Sequence, residues 1–412
     1  MNENFEKKLK DYARLIVEVG ANVQKDEPVI IFCPIEAREF GRMLTELAYK
    51  RGAKTVIVDY IDEELTKMKL EHESIETLEE FPDWMVKKAE FLGESGYARI
   101  FVDASDPELL SAIDPKKIAA STKAKSTALK HTQKYTMNDI VTWCVVSVPS
   151  KAWAKKIFPD ETQERSVELL WNAIFDATRM NLEDPIDAWK KHLSLLEEKS
   201  DFLNRKQFRF LEYKSSNGTD LKVELPKNHI WMSAASKNSK GTKFVPNMPT
   251  EEVFSAPLRG GTNGTLVATK PLNYGGNLID NFRLTFKDGA VVDYRAEVGE
   301  EYLKNLLEMD ENAKYLGEVA LVPYGSPISN SNILFYNTLF DENASCHFAF
   351  GKAYPTCVEG ATELNEEELL QRGINDSLVH EDFMVGAKDL SIIGIEEDGT
   401  RTPIFKDGNW AF

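Results

Sequence analysis

Histidine and cysteine are scarce in this chain of 412 residues, which holds six of the first and four of the second. The cysteines (Cys33, Cys144, Cys346 and Cys357) stand far apart and form no CxxC pair. That spacing excludes a disulfide framework and a thiolate zinc site, and leaves buried thiols as the reading. No uncharged apolar run reaches the ~18 residues that a bilayer span requires, so no membrane is expected as a partner. Lys and Arg form no run or stripe against a formal net charge of −17. Nucleic acid is therefore not an expected partner, because phosphate contacts need a local cationic excess. Repeats of fixed period and compositionally biased segments are also missing. The first residues, MNENFEKKLKDYARLIVEVG, lack the apolar core of a secretory signal and instead place Phe5, Leu9, Tyr12 and Ile16 on one helical face, so a cytoplasmic location is expected.

What the chain does contain is enough apolar material for globular cores, with 42% hydrophobic and 10% aromatic residues. Single cores rarely grow beyond about 250 to 300 residues, so two domains are expected. In the first half, PVIIFCP, KTVIVDY, ARIFVDAS and DIVTWCVVSVPS are β-branched, nearly continuous in apolarity and separated by segments long enough for crossover helices. This pattern predicts a parallel α/β sheet. The segment Glu36 to Arg51 carries Phe40, Met43, Leu44 and Leu47 at helical spacing and ends at Gly52, a glycine stop. From Asp160 to about Arg205 the periodicity is helical throughout, with a break at Asp184-Pro185. Beyond Phe208 the texture is of strands and turns, with hairpins expected at Asn217-Gly218, Asp288-Gly289 and Asp398-Gly399. The expected architecture is an α/β N-terminal domain with a parallel sheet over 1–205, followed by a β-rich α+β catalytic domain over 206–412.

Chemistry concentrates in the second half. His72, His131, His192 and His229 sit in ordinary patterns and read as structural or solvated. His380 and Asp382 differ, because one residue separates them in the apolar run LVHEDFMVG, and strand alternation points both to the same side. An imidazole and a carboxylate aimed together into apolar surroundings need a shared partner such as a divalent metal, although Asp382 could equally orient His380 by a hydrogen bond. His347 lies in FDENASCHFAF beside Asp341 and Glu342, in what reads as a polar turn after a strand NILFYNTLF; a local capping role is the alternative. Glu252 in NMPTEEVF and Glu318 at the start of the strand EVALVP are oddly placed acids that could also be a solvated pair member and a strand-edge charge. Oxygen and imidazole donors suit Zn²⁺, Co²⁺ or Mn²⁺, with Mg²⁺ as a further option. Three carboxylates and two imidazoles exceed the donor set of one catalytic zinc and suggest two metal ions, ~3.5 to 4 Å apart.

At these residues the sequence resembles the aminopeptidase T and aminopeptidase S group of metallo-aminopeptidases, nearest the aminopeptidase S branch. The resemblance covers essentially the whole chain and runs through LPKNHIW, NMPTEEVF, TKPL, SPIS, NTLFDENAS, HEDFM, EDGTRTP and DGNW. It implies that Glu252, Glu318, His347, His380 and Asp382 are metal ligands, that Glu342 touches a second metal, and that Tyr354 stabilises the tetrahedral intermediate. Glu381 departs from the family pattern, which has an uncharged residue there, and alternation turns it away from the site. Glu251 is a candidate general base through its adjacency to Glu252. The resemblance further implies a homodimer that acts on short peptides. Other readings are a dipeptidase or carboxypeptidase, for which Arg259 and Arg283 are candidate carboxylate clamps, and a non-catalytic metal- or peptide-binding protein.

Overall fold

The computed structural model describes residues 3–412, which form two compact units. Among the described residues the first comprises 3–195 and 234–250, the second 196–233 and 251–412. Among the described residues no helix is long and apolar enough to cross a membrane.

The first unit holds a parallel sheet in the order Thr55–Ile61, Pro28–Pro34, Ala98–Asp103, Trp143–Ser147, Asn247–Met248. The continuous apolarity of Pro28–Pro34, Ala98–Asp103 and Trp143–Ser147 follows from coverage on both sides, since Val29, Ile30, Ile31, Ile100, Cys144 and Val146 are fully buried, whereas the edge strand Thr55–Ile61 leaves Ile57, Tyr60 and Ile61 exposed. Helix Arg38–Arg51 ends where expected, at Gly52 with φ 99°, a conformation that is strained for any residue with a Cβ. The N-terminal helix Glu3–Leu15 buries Tyr12, whose hydroxyl donates to the Ser147 carbonyl at 3.1 Å, and it sets Phe5 against Trp171 and Phe175 of the helix Gln163–Ala177. The fifth strand, Asn247–Met248, comes from far along the chain and had no local signal in the sequence. It leads directly, through a cis Met248–Pro249 bond, to Glu251 and Glu252.

The second unit is built from antiparallel sheets. The larger has nine strands, and all three expected hairpins lie in it, at Asn217-Gly218, Asp288-Gly289 and Asp398-Gly399. At Asp288-Gly289 both residues take positive φ, 50° and 83°, as a turn that matches the twist of its strands requires. The smaller sheet orders Val253–Ser255, Leu316–Leu321, His347–Gly351 and His380–Met384. Its two central strands are buried along their whole length. One face stacks Phe348, Phe350 and Phe383 together and packs Phe348 against Tyr213 and Phe383 against Phe282 of the nine-stranded sheet, with ring centroids 5.2 and 5.7 Å apart.

Three sequence expectations change here. The segment NILFYNTLF is not a strand, because residues 333–337 are irregular and Thr338–Glu342 is a short helix. The cause is the buried Asp341, whose carboxylate accepts the backbone N–H groups of Phe335 at 3.0 Å and Asn337 at 3.1 Å and so folds the segment back on itself. His347 accordingly does not sit in a turn: it is the first residue of a central strand and is 1% exposed. Glu318, likewise, does not open its strand but is the third residue of Leu316–Leu321.

Candidate metal centre

Strand alternation and register assemble the centre. In the small sheet, Glu318 pairs across from Ala349, and Ala349 from Asp382; Ala320 pairs with His347, and Gly351 with His380. Paired residues of antiparallel strands share a face, so Glu318, His347, His380 and Asp382 all project on the side opposite the phenylalanines. Among their neighbours on that face, Ala320, Ala349 and Gly351 have little or no side chain and leave room between the polar groups, while Phe254 and Met384 share the face. Glu252 enters from the irregular segment just before Val253–Ser255, and Glu342 from the end of the Thr338–Glu342 helix.

The donor atoms converge. His347 Nε2 lies 3.0 Å from Glu252 Oε2 and 3.7 Å from Glu318 Oε1, while His380 Nε2 lies 3.5 Å from Glu318 Oε2 and 3.7 Å from Asp382 Oδ2. Glu318 thus offers one oxygen to each imidazole. Among the described residues, three groups bring their donor atoms within 4.8 Å of one another: Glu252, Glu318 and His347; Glu318, His380 and Asp382; and Glu342, His347 and Asp382. Every metal ligand expected from the sequence belongs to at least one of them.

The environment strains the protonation of these groups. Burial pushes Glu318 up to about 7 despite its bond to His347, and lifts Glu342 well above the carboxylate range, with the charges of Asp382 and Glu252 adding to it. Burial opposes charge on His347 and His380, yet the surrounding carboxylates outweigh it and raise both. Like charges packed in an apolar setting hold protons unless a cation replaces them.

A divalent cation fits these residues. The Nδ1 of His347 faces the Ser345 carbonyl at 3.0 Å, and that of His380 faces the Lys352 carbonyl at 2.7 Å. A carbonyl only accepts, so each Nδ1 carries hydrogen, and in the neutral ring each Nε2 turns a lone pair toward carboxylate oxygens. Lone pairs aimed at lone pairs require a cation or a proton between them. Asp382 Oδ1, moreover, is buried with no hydrogen-bond partner. The two orienting carbonyls were invisible in the sequence, since every residue carries one.

The remaining expected residues divide. Tyr354 touches the centre, its ring 5.0 Å from that of His380; burial first, then the charges of Glu318 and Asp382, hold its phenol well above its ordinary value, so it stays protonated. Glu251 is buried but belongs to none of the three donor groups; its backbone N–H donates to Asn343 Oδ1 at 2.7 Å. Glu381 projects to the phenylalanine side opposite Phe350, where burial and then Asp382 push it up to about 8. Arg259 is engaged by Asn375 and Asn312 and lies 3.7 Å over the Tyr315 ring, and Arg283 is exposed on the nine-stranded sheet. His192 and His229 are buried structural residues bonded to the Thr250 and Pro226 carbonyls, and His131 is a surface partner of Glu90.

The family described as thermophilic metalloprotease (M29) matches residues 5–410. The chain is 50% identical over 410 residues to aminopeptidase AmpS of Bacillus subtilis, covering 100% of both. It is 48% identical over 408 residues to aminopeptidase 2 of Geobacillus stearothermophilus, covering 99% of this chain and 98% of that one. The solved structure of wild-type AmpT from Thermus thermophilus superposes with a TM-score of 0.90 at 40% identity, covering 99% of this chain and 100% of the other.

Proposed function

The chain belongs to the M29 family of thermophilic metalloproteases, and from that premise we propose that it is an aminopeptidase releasing N-terminal amino acids from short peptides with the help of two divalent ions. The observation that carries this reading is the split of Glu318, one oxygen toward His347 and the other toward His380. Glu252, Glu318 and His347 would hold one ion and Glu318, His380 and Asp382 a second, with Glu342 offering a further oxygen beside His347 and Asp382. Bound there, Zn²⁺ or Co²⁺ would acidify a water, polarise the first peptide carbonyl and provide a docking point for the free α-amine.

The chain's own groups supply the rest. The Tyr354 hydroxyl, kept protonated by its surroundings, donates a hydrogen bond to the oxygen on which negative charge develops. Glu251 is the proposed proton carrier from the attacking water to the leaving amine; it sits outside any strand, so alternation does not turn it away from Glu252. The carbonyls of Ser345 and Lys352 keep both imidazoles in the tautomer that frees Nε2. The engagement of Arg259 with neighbouring amides and the exposure of Arg283 weigh against a clamp for a substrate carboxylate, and so against a carboxypeptidase. A homodimer, proposed on the strength of the family resemblance, and a cytoplasmic location complete the reading.

The test is to offer amino-acid p-nitroanilides, their N-acetylated forms and free dipeptides to the purified protein, with and without EDTA and re-added Zn²⁺ or Co²⁺. Hydrolysis confined to free amino termini and restored by metal is expected. Cleavage of acetylated substrates, or activity that survives full chelation, would refute the proposal.

A further inference from the structure

Asn343 follows the Thr338–Glu342 helix and is fully buried, at 0% exposure. Its Oδ1 accepts the Glu251 backbone N–H at 2.7 Å, and its Nδ2 donates to the Leu339 carbonyl at 2.9 Å and to Glu342 Oε1 at 3.3 Å. Chemistry fixes which end of the amide is which, because a backbone N–H only donates and a carbonyl only accepts. We propose that Asn343 is a positioning residue that sets two carboxylates of the metal centre together, Glu252 through the backbone of its neighbour and Glu342 through a direct hydrogen bond.

The inference rests on the ligand reading above. The segment Thr250–Glu252 has no regular structure, so no strand ladder orients the Glu251 amide. The Asn343 side chain takes that place, and a peptide plane held there limits where the Glu252 side chain can start. At its other end the same amide restrains the Glu342 carboxylate, which a bare helix terminus would leave free to rotate. Aspartate at this position could accept from Glu251 but would turn an oxygen toward Glu342 and the Leu339 carbonyl, where a donor is needed. Groups that orient ligands in this way change metal affinity by about 10- to 100-fold when removed.

The experiment compares Asn343→Ala with Leu339→Ala, a truncation on the same short helix that leaves the amide bonds in place. Readouts are Zn²⁺ affinity by competition with a chromophoric chelator, the visible absorption spectrum of the Co²⁺-loaded protein, and thermal unfolding of the metal-free protein. Asn343→Ala is expected to weaken Zn²⁺ binding about 10- to 100-fold and alter the Co²⁺ spectrum; Leu339→Ala loses stability through a cavity but binds both ions as the parent does. Wild-type affinity and spectrum in Asn343→Ala, or equal weakening in both variants, would overturn the proposal. If Asn343→Ala does not fold, Asn343→Asp, which keeps size and acceptor but loses the donor, must still change the Co²⁺ spectrum, and an unchanged spectrum overturns the proposal too. Glu318→Gln runs alongside: Zn²⁺ binding unaffected by it would refute the ligand assignment itself rather than the part given to Asn343.

Discussion

On the strand His347–Gly351, Phe348 and Phe350 turn one way while His347, Ala349 and Gly351 turn the other; on His380–Met384, Phe383 opposes His380 and Asp382. One face of this small sheet is a stack of aromatic rings against a second sheet, and the other gathers carboxylates and imidazoles around small residues. The phenylalanine face gains from burial, and rings such as Phe350 and Phe383 at 4.3 Å fix the strands in register. The acidic face is unfavourable to fold without a cation, because it buries like charges. The difference teaches that stability and chemistry are divided residue by residue along the same strands, with the apolar face holding rigid a polar face that would otherwise repel itself.

Substitutions should therefore separate cleanly by face. The largest effect is expected for Glu318→Gln, which removes the carboxylate shared by both imidazoles: peptidase turnover should fall below detection while circular dichroism and the unfolding transition remain native-like. Normal turnover in that variant would end the division. Phe383→Ala on the opposite face should lower unfolding stability by about 3–5 kcal/mol in urea titrations, yet the folded fraction should bind metal as before. Back on the polar face, Tyr354→Phe should reduce kcat about 10²- to 10³-fold with metal content unchanged, the loss expected for one donor to an oxyanion; a change confined to KM would assign Tyr354 to substrate binding instead.

The smallest expected effect is on pH dependence, and its sign follows from the shifts. In the metal-free protein Glu318 keeps its proton up to about 7, whereas the unfolded chain releases it near 4.5, so stability falls as pH rises across that interval. His347 and His380, raised above 6.5, contribute stability that is complete below that value and lost as pH climbs through their native values. All three act in the same direction. The melting temperature of the metal-free protein should thus decline between pH 5.5 and 8, while Zn²⁺ affinity, which requires those protons to leave, increases. Opposite slopes would show that the acidic face is not where the metal binds.

Much of the scaffold was legible from local signals. The Asp-Gly and Asn-Gly turns name their hairpins because the turn geometry admits few residues, and the first four parallel strands announce themselves by unbroken apolarity. The pair His380 and Asp382 was legible for the same local reason, a period of two within an apolar run. Glu252, Glu318 and His347 carried no such signal, since what unites them is register between strands distant in sequence, and only the family resemblance linked them beforehand. The segment before His347 was misread because side-chain bonds from Asp341 to the backbone overrode its strand-like composition. The short strand Asn247–Met248, which adds to the sheet of the first unit, has two residues and no periodicity to find.

The most direct test of the central claim is calorimetric titration of Zn²⁺ into chelator-treated protein, with activity assayed at each point. Binding of two ions per chain, lost in Glu318→Gln and accompanied by the return of aminopeptidase activity, is the predicted result. Binding that survives Glu318→Gln, or activity that returns with no ion bound, would contradict it.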